Sequence, residues 1–342
     1  MSVIRTAIIG FGIAGRVFHA PLIAADPRYA LRAIVTGSPE RARVARSEYP
    51  ETDVLADTDA LFARAQEFDL VIIGSPNDSH APLARAAIEA GCHVVIDKPI
   101  AVTATEARDV ATVAKAAGRV LTVFQNRRWD GDFLTLRDVI GRGRLGEVFQ
   151  FDSAFEWWKP DLGTGWKDVA RPDAGGGILY DLGPHLIDQA LQLFGEITDV
   201  HGELDRRRSG SPSDDDSFLT LRHASGVRTR LWMSAVAPVS RPRFRVSGSR
   251  GVFRSDGLDP QEAQSIAGLR PGDEGFGLHE DGRAAVIEGP EGVENVPLRA
   301  GDHSEFYRQL APALREDGPL PVDPTDSIRV LEIIEQAIRE SR

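Results

Sequence analysis

Through residues 1–124, short apolar runs alternate with stretches whose apolar positions recur every three to four residues. The runs at 6–9, 31–35, 70–73, 93–96 and 120–124 predict strands. They are apolar at consecutive positions, as in a parallel sheet covered on both faces, where no strand face meets water. The intervening 39–47, 59–66, 81–90 and 105–117 predict helices, and Gly91 and Gly118 follow the last two as stops. Crossovers in such a sheet are right-handed, and ligands bind beyond the carboxyl ends of its strands. Pro21 is expected to kink or shorten the first helix.

Beyond Phe124 the pattern changes. One more helix is predicted at 132–142, followed by alternating strands such as 147–157 and 228–235, which imply a mostly antiparallel sheet. Helices recur at 182–194, 303–315 and 326–339. The fold class expected is α/β: a doubly wound Rossmann domain over 1–124, then an α+β domain with an open, mostly antiparallel sheet over 125–342. The three arginines and three aspartates within 206–217 are expected to form a solvated hairpin tip, and 257–282, rich in glycine and charge, a long irregular excursion.

Composition narrows the classes. A chain of 342 residues exceeds the usual single core, which supports two domains. A net charge of −11 repels a phosphate backbone, so nucleic acid is not an expected partner. The lone Cys92 cannot form an internal disulfide and falls in an apolar run. No apolar run reaches membrane length, and the N-terminus lacks the pattern of a secretion signal, so no membrane partner and a cytoplasmic location are expected.

The sequence GFGIAG (Gly10, Phe11, Gly12, Ile13, Ala14, Gly15) follows the first strand and opens a helix. In that context Gly10 makes the tight turn, Gly12 lets backbone approach a pyrophosphate, and Gly15 allows close helix packing. The pyrophosphate would rest on the helix N-terminus. After the second strand, where an acid holding the ribose hydroxyls of NAD is usual, the chain reads Val35, Thr36, Gly37, Ser38. Ser38, Arg41 and Arg43 can instead take a 2′-phosphate, which favours NADP over NAD, though the arginines can equally be a solvated helix face.

Two further motifs carry chemistry. In DKP, Asp97 and Lys98 end the 93–96 strand, and Pro99 holds Lys98 extended. An ammonium there can stabilise an alkoxide, or be a surface lysine paired with Asp97. In DLGPH, Asp181 and His185 lie four apart on one helical face. The carboxylate can orient an imidazole that takes the hydroxyl proton, or merely cap the helix with Pro184 in its first turn. Gly175, Gly176 and Gly177 would let backbone approach a ligand. A metal held by His185 with Asp181 or Asp188 is disfavoured, because no HExxH or CxxC spacing is present; no metal is expected.

With these motifs in place the chain resembles the glucose-fructose oxidoreductase and inositol dehydrogenase family (Gfo/Idh/MocA) over nearly its whole length. The resemblance rests on GFGIAG, SPNDSH at Ser75 to His80, DKP, FQNRRWD at Phe124 to Asp130, GGGILYDLGPHLID at Gly175 to Asp188, and DPQEAQ at Asp259 to Gln264. Its look is nearest to the NADP-dependent scyllo-inositol dehydrogenase branch. The resemblance implies an open sheet that joins subunits into dimers or tetramers, and catalytic positions at Lys98, Asp181 and His185. It also implies a cofactor-lining loop at Ser75, Pro76, Asn77 and His80, and Asn126 and Arg127 beside nicotinamide and substrate. Asp97 stands where the family usually has glutamate. Substrate walls are expected from Glu156, Trp157, Lys159 and Trp166. The reading is an NAD(P)-dependent oxidoreductase acting on a secondary alcohol of a cyclitol, sugar or sugar derivative. A non-catalytic dinucleotide sensor and a redox-assisted lyase or glycosidase stand as alternatives.

Overall fold

The computed structural model describes residues 2–280, 283–316 and 318–341. By contact the chain forms two units. The first comprises Met1–Asn126, Gln261–Phe276 and His303–Ile328, and the second Arg127–Pro260, Gly277–Asp302 and Arg329–Arg342.

The first unit is built on a parallel sheet of β1 (Ile4–Ile9), β2 (Tyr29–Val35), β3 (Asp53–Leu55), β4 (Leu70–Ile73), β5 (His93–Asp97) and β6 (Leu121–Phe124). Its order is β3-β2-β1-β4-β5-β6, the doubly wound arrangement in which the direction of winding reverses between β1 and β4. All four residues of β4 and of β6 are buried, which is why these strands read as unbroken apolar runs. The five runs read from the sequence correspond to β1, β2, β4, β5 and β6; the short β3, with an exposed Asp53, lacked that pattern. The stretch 59–66 is not one helix but an α-helix at Thr58–Phe62 and a single tight turn at Ala65–Glu67. After the glycine loop, Ala14–His19 winds as wide π-helical turns that run directly into the α-helix Ala20–Ala25, and Pro21 lies where the winding changes.

Late segments of the chain complete this unit. Thr122 donates its hydroxyl to Val322 O at 2.7 Å, Tyr29 to Tyr307 O at 2.7 Å, and the buried His19 shares a 2.7 Å hydrogen bond with the Tyr307 hydroxyl. Burial brings the His19 pKa down to about 4, so the ring is neutral. The stretch 257–282 is not wholly irregular. It contains the helix Gln261–Ile266, which packs on the Ala14–His19 turns; its last two positions, 281–282, lie outside the described residues.

The second unit is an eight-stranded sheet in the order β14-β13-β12-β11-β7-β10-β9-β8. Its strands are β7 (Val148–Glu156), β8 (Ile197–Asp205), β9 (Asp216–His223), β10 (Arg228–Ser234), β11 (Phe244–Gly248), β12 (Val252–Ser255), β13 (Ala284–Gly289) and β14 (Gly292–Pro297). Within this sheet only the β7–β10 pairing is parallel among the described residues. The Ile178–Phe194 helix packs on β7, β9 and β10, with Phe194 and Phe151 ring centroids 5.3 Å apart. On the opposite face Trp232 lies between two guanidinium groups, Arg230 at 5.5 Å and Arg241 at 5.1 Å. The fold class is thus α/β, with a Rossmann sheet and a second, mostly antiparallel sheet.

The charged run within 206–217 is solvated only in part: Arg206 and Arg207 are exposed, but Asp215 is not. Asp215 is fully buried and accepts hydrogen bonds from the backbone N–H groups of Arg207 and Arg208 and, at 3.1 Å, from Arg208 Nε. A buried carboxylate left without donors would be costly, and here the neighbouring backbone and guanidinium supply them. Asp214 accepts from the Leu179 N–H and the Ser217 hydroxyl, so the loop ties itself to the start of the long helix.

Candidate active site

In the first unit the predicted cofactor residues gather along the carboxyl edge of the parallel sheet. Gly10 has φ +95° and stands so close to the end of β4 that a Cβ would lie 2.6 Å from Gly74 O. At Gly15 a Cβ would lie 2.0 Å from Gly10 O. Gly12 is different: among the described residues a Cβ there would meet only Arg41 Nη1, at 3.9 Å. Two glycines of the loop are therefore required by the fold itself, and Gly12 keeps a cradle clear at the switch point between β1 and β4. That open cradle fits a dinucleotide. Ile13 is 59% exposed beside it, whereas the Phe11 side chain is buried edge-on against Tyr49 at 6.2 Å and can serve only through its backbone.

At the end of β2, Thr36 is buried and its hydroxyl accepts from the Ser38 N–H at 3.4 Å. Ser38 caps the helix Pro39–Glu48 by accepting from the Arg41 N–H at 3.3 Å, and Arg41 and Arg43 are exposed. Ser75 Oγ and Ser79 Oγ are 2.6 Å apart, and Asn77 is buried. Both ring nitrogens of the buried His80 lie against carbonyl oxygens, Nδ1 at 2.7 Å from Pro99 O and Nε2 at 2.9 Å from Ser75 O. Burial lowers its pKa. His80 thus clamps the Ser75–Ser79 loop, which starts with Pro76 as the cap of a tight turn, to the DKP turn. Asp97 Oδ1 accepts the Lys98 backbone N–H at 3.0 Å, and the Lys98–Pro99 peptide is cis. Lys98 itself is half-buried and directly follows β5. Asn126 is buried at the start of the turn Asn126–Trp129.

In the second unit the Ile178–Phe194 helix carries Asp181 and His185. The helix starts at Ile178, four residues earlier than the capping reading of Asp181 requires. Its cap is Gly177, at φ +105°, and Pro184 lies in the helix interior, so Asp181 is a first-turn acid and not the cap. The glycines before it make room for the chain and not for a ligand: a Cβ at Gly176 would lie 2.2 Å from Ala170 O, and one at Gly177 2.0 Å from Asp214 Oδ1. His185 is 5% exposed. Asp181 Oδ1 accepts from Lys167 Nζ at 2.6 Å.

Beneath these residues lies a buried ionic layer. Arg128 is bonded to Asp188 through both carboxylate oxygens, at 2.8 and 2.5 Å. The Arg127 guanidinium lies 3.4 Å from Asp130 and 5.1 Å over the Phe155 ring. Gln189 joins them, donating to Arg127 O and accepting from the buried Arg243 at 2.7 Å.

The expected substrate walls are placed variously. Trp157 is half-buried edge-on to Phe155, and Trp158 is 58% exposed. Trp166 opens the short helix Trp166–Val169, and Lys159 pairs with Asp168 at 3.2 Å. Glu156 is in register with Ser234, on the side of the sheet away from Met233 and the long helix, and its carboxylate is taken by Arg241. Sequence reasoning passed over Lys167, Asp168, Arg208 and Asp215. The available sign was an RRR run followed by a DDD run, which also describes a solvated loop.

Comparison with known proteins agrees with this architecture. Residues 4–125 match the model of the oxidoreductase family with an NAD-binding Rossmann fold, and residues 133–254 match the GFO/IDH/MocA C-terminal domain. The chain is 40% identical to the uncharacterized oxidoreductase YdgJ of Escherichia coli, over 99% of this chain and 96% of that protein. It is 31% identical to the NADP(+) scyllo-inositol 2-dehydrogenase IolW of Bacillus subtilis, over 99% and 94%. The solved structure of yvaA from Bacillus subtilis superposes with a TM-score of 0.93 at 30% identity, covering 99% of this chain and 96% of that one. No helix among the described residues is long and apolar enough to cross a membrane. The chain belongs to the Gfo/Idh/MocA family of oxidoreductases, with an NAD-binding Rossmann domain.

Proposed function

We propose that this oxidoreductase is an NADP-preferring dehydrogenase of a secondary alcohol in a cyclitol, sugar or sugar derivative. The observation that carries the reading is the clear cradle at Gly12 with Arg41 Nη1 at its rim. Relatives named as acting on such substrates, the scyllo-inositol 2-dehydrogenase IolW and a D-apiose dehydrogenase of Paraburkholderia graminis, support the substrate class. A bound nicotinamide dinucleotide would supply the hydride acceptor. Gly12 and the N–H groups of Ile13 and Ala14 would receive its pyrophosphate. Arg41 would take the 2′-phosphate, and the Ser38 hydroxyl, which already accepts from Arg41 N–H, keeps its own hydrogen to donate.

His185, neutral, would accept the proton of the substrate hydroxyl. Asp181, one turn earlier on the same helix face, would orient the ring and stabilise its cation. Lys98 would stabilise the developing alkoxide. Arg127, Trp157, Lys159 and Trp166 would border the substrate. Cytoplasmic homo-oligomers formed through the open sheet face bearing Arg230, Trp232 and Arg241 complete the proposal. The test is absorbance at the reduced-nicotinamide band with NADP or NAD against a panel of inositols and aldoses. Stoichiometric reduced cofactor with NADP and a polyol supports the reading. No turnover with tight dinucleotide binding would make the protein a sensor, and bond cleavage without net reduction a redox-assisted lyase.

A further inference from the structure

Lys167 Nζ lies 2.6 Å from Asp181 Oδ1, and Asp181 stands four residues before His185 on the long helix. Lys167 belongs to the short helix Trp166–Val169, within a strap of chain over 157–177. That strap is fastened by other groups. Asp168 accepts from Lys159 at 3.2 Å and from Arg208 at 3.1 Å, and Arg208 is in turn held by the buried Asp215. Ser213 Oγ donates to Ala170 O at 2.8 Å. The Lys167 side chain is 48% exposed, and an ion pair that open to water adds little to folding stability. What it changes is local: an ammonium against a carboxylate offsets the field that the carboxylate exerts on an imidazole one turn away.

The geometry points to Lys167 as a positioning residue that acts through Asp181, holding the carboxylate toward the strap and tempering its charge so that His185 keeps a lone pair for the substrate proton. This rests on the reading of His185 as the proton acceptor. Other charged groups on this helix and on the elements packed against it have partners of their own. Asp188 is bonded to Arg128, Asp214 to Leu179 N–H and Ser217, and Arg127 faces Asp130. Arg243 bonds Ser153 and Gln189 and lies 3.9 Å from Asp132. From the sheet, β7 and β10 turn the uncharged Phe151, Ser153, Phe155, Leu231 and Met233 inward, and His223 of β9 sits at the far end of the helix by Phe194. Asp181 is the carboxylate one turn before His185 on this helix, and Lys167 pairs with it.

The test is an NMR titration of the whole protein. The His185 resonance is assigned by its loss in His185→Gln, and wild type is compared with Lys167→Met and Lys167→Arg. In Lys167→Met the His185 midpoint is expected to rise by roughly half a pH unit or more, because Asp181 then favours the imidazolium without the Lys167 ammonium to offset it. The acidic limb of kcat/KM for alcohol oxidation should move to higher pH with it, since only neutral His185 accepts a proton. Lys167→Arg should leave both near wild type. An unmoved His185 midpoint in Lys167→Met overturns the proposal, as does an arginine variant that shifts as far as methionine. The titration is read on the resting protein, so a wild type that oxidises no polyol would defeat the proposed reaction while the link from Lys167 to His185 is still decided.

Discussion

A Cβ on Gly15 would stand 2.0 Å from the carbonyl oxygen of Gly10, closer than any side chain can approach backbone. At Gly12 the same atom would meet only Arg41 Nη1 among the described residues, at an ordinary contact distance of 3.9 Å. The two glycines should therefore fail differently. Gly15→Val is expected to cost about 3 kcal/mol or more, or to prevent folding. Gly12→Val should melt near the wild-type temperature while weakening dinucleotide binding by about 100-fold, since it obstructs the ligand and not the fold. Thermal melts combined with NADPH fluorescence titration distinguish the two.

Arg41→Ala tests the choice of coenzyme. Removing a guanidinium from a phosphate should raise the NADP dissociation constant about tenfold or more and leave that of NAD within about twofold. Equal losses for the two dinucleotides would remove Arg41 from 2′-phosphate recognition.

His185→Ala should lower turnover roughly 100-fold or more with dinucleotide affinity nearly intact, as expected for loss of a proton acceptor. Single-turnover kinetics at saturating NADP would check it, and undiminished turnover would refute the role.

The two neighbouring arginines of the 206–215 loop should differ in weight. The Arg208 side chain is 9% exposed against a fully buried Asp215, so Arg208→Ala strands a buried carboxylate at a cost of about 3 kcal/mol. Arg207 is 58% exposed, and Arg207→Ala should cost under about 0.5 kcal/mol. Urea denaturation gives both numbers.

Asp69 supplies a pH dependence. Burial alone would raise its pKa, but hydrogen bonds from the Arg5 guanidinium and backbone N–H, with Arg315 nearby, hold it at about 2. A carboxylate depressed in the folded state contributes stability that is complete above its unfolded pKa, about 3.9, and is lost as pH falls through 2. In Asp69→Asn the fall in stability between about pH 5 and pH 2 should therefore be shallower than in wild type, measured by urea midpoints across that range.

How far the sequence announced this molecule depended on whether a residue's neighbours in the fold are also its neighbours in the chain. The strands β1, β2, β4, β5 and β6 were legible because burial on both faces writes itself as consecutive apolar residues, and GFGIAG because its turn is local. Asp215 was illegible for the opposite reason: an aspartate in a polar run has the composition of a solvated loop, and only the fold, which brings it the backbone N–H groups of Arg207 and Arg208 and the Arg208 guanidinium, makes its burial tolerable. The start of the long helix was misplaced for a related cause. Gly177 caps it by adopting φ +105° against Asp214, a contact spanning 37 residues that no local pattern encodes. That Asp181 and His185 share one helix was legible in their four-residue spacing, whereas Lys167 approaches from a strap with no periodicity to mark it.

The late segments that complete the first unit have a consequence for how the protein is made. All six parallel strands leave the ribosome well before Tyr307, Arg315 and Val322 are synthesised, so Tyr29, Asp69 and Thr122 must wait for partners encoded 278, 246 and 200 residues further on. A gene fragment stopped after Asn126 would translate every strand of the dinucleotide sheet and still lack the polypeptide that seals it. Nascent molecules therefore finish this half only after residues 307–322 have been made, with the intervening chain already extruded.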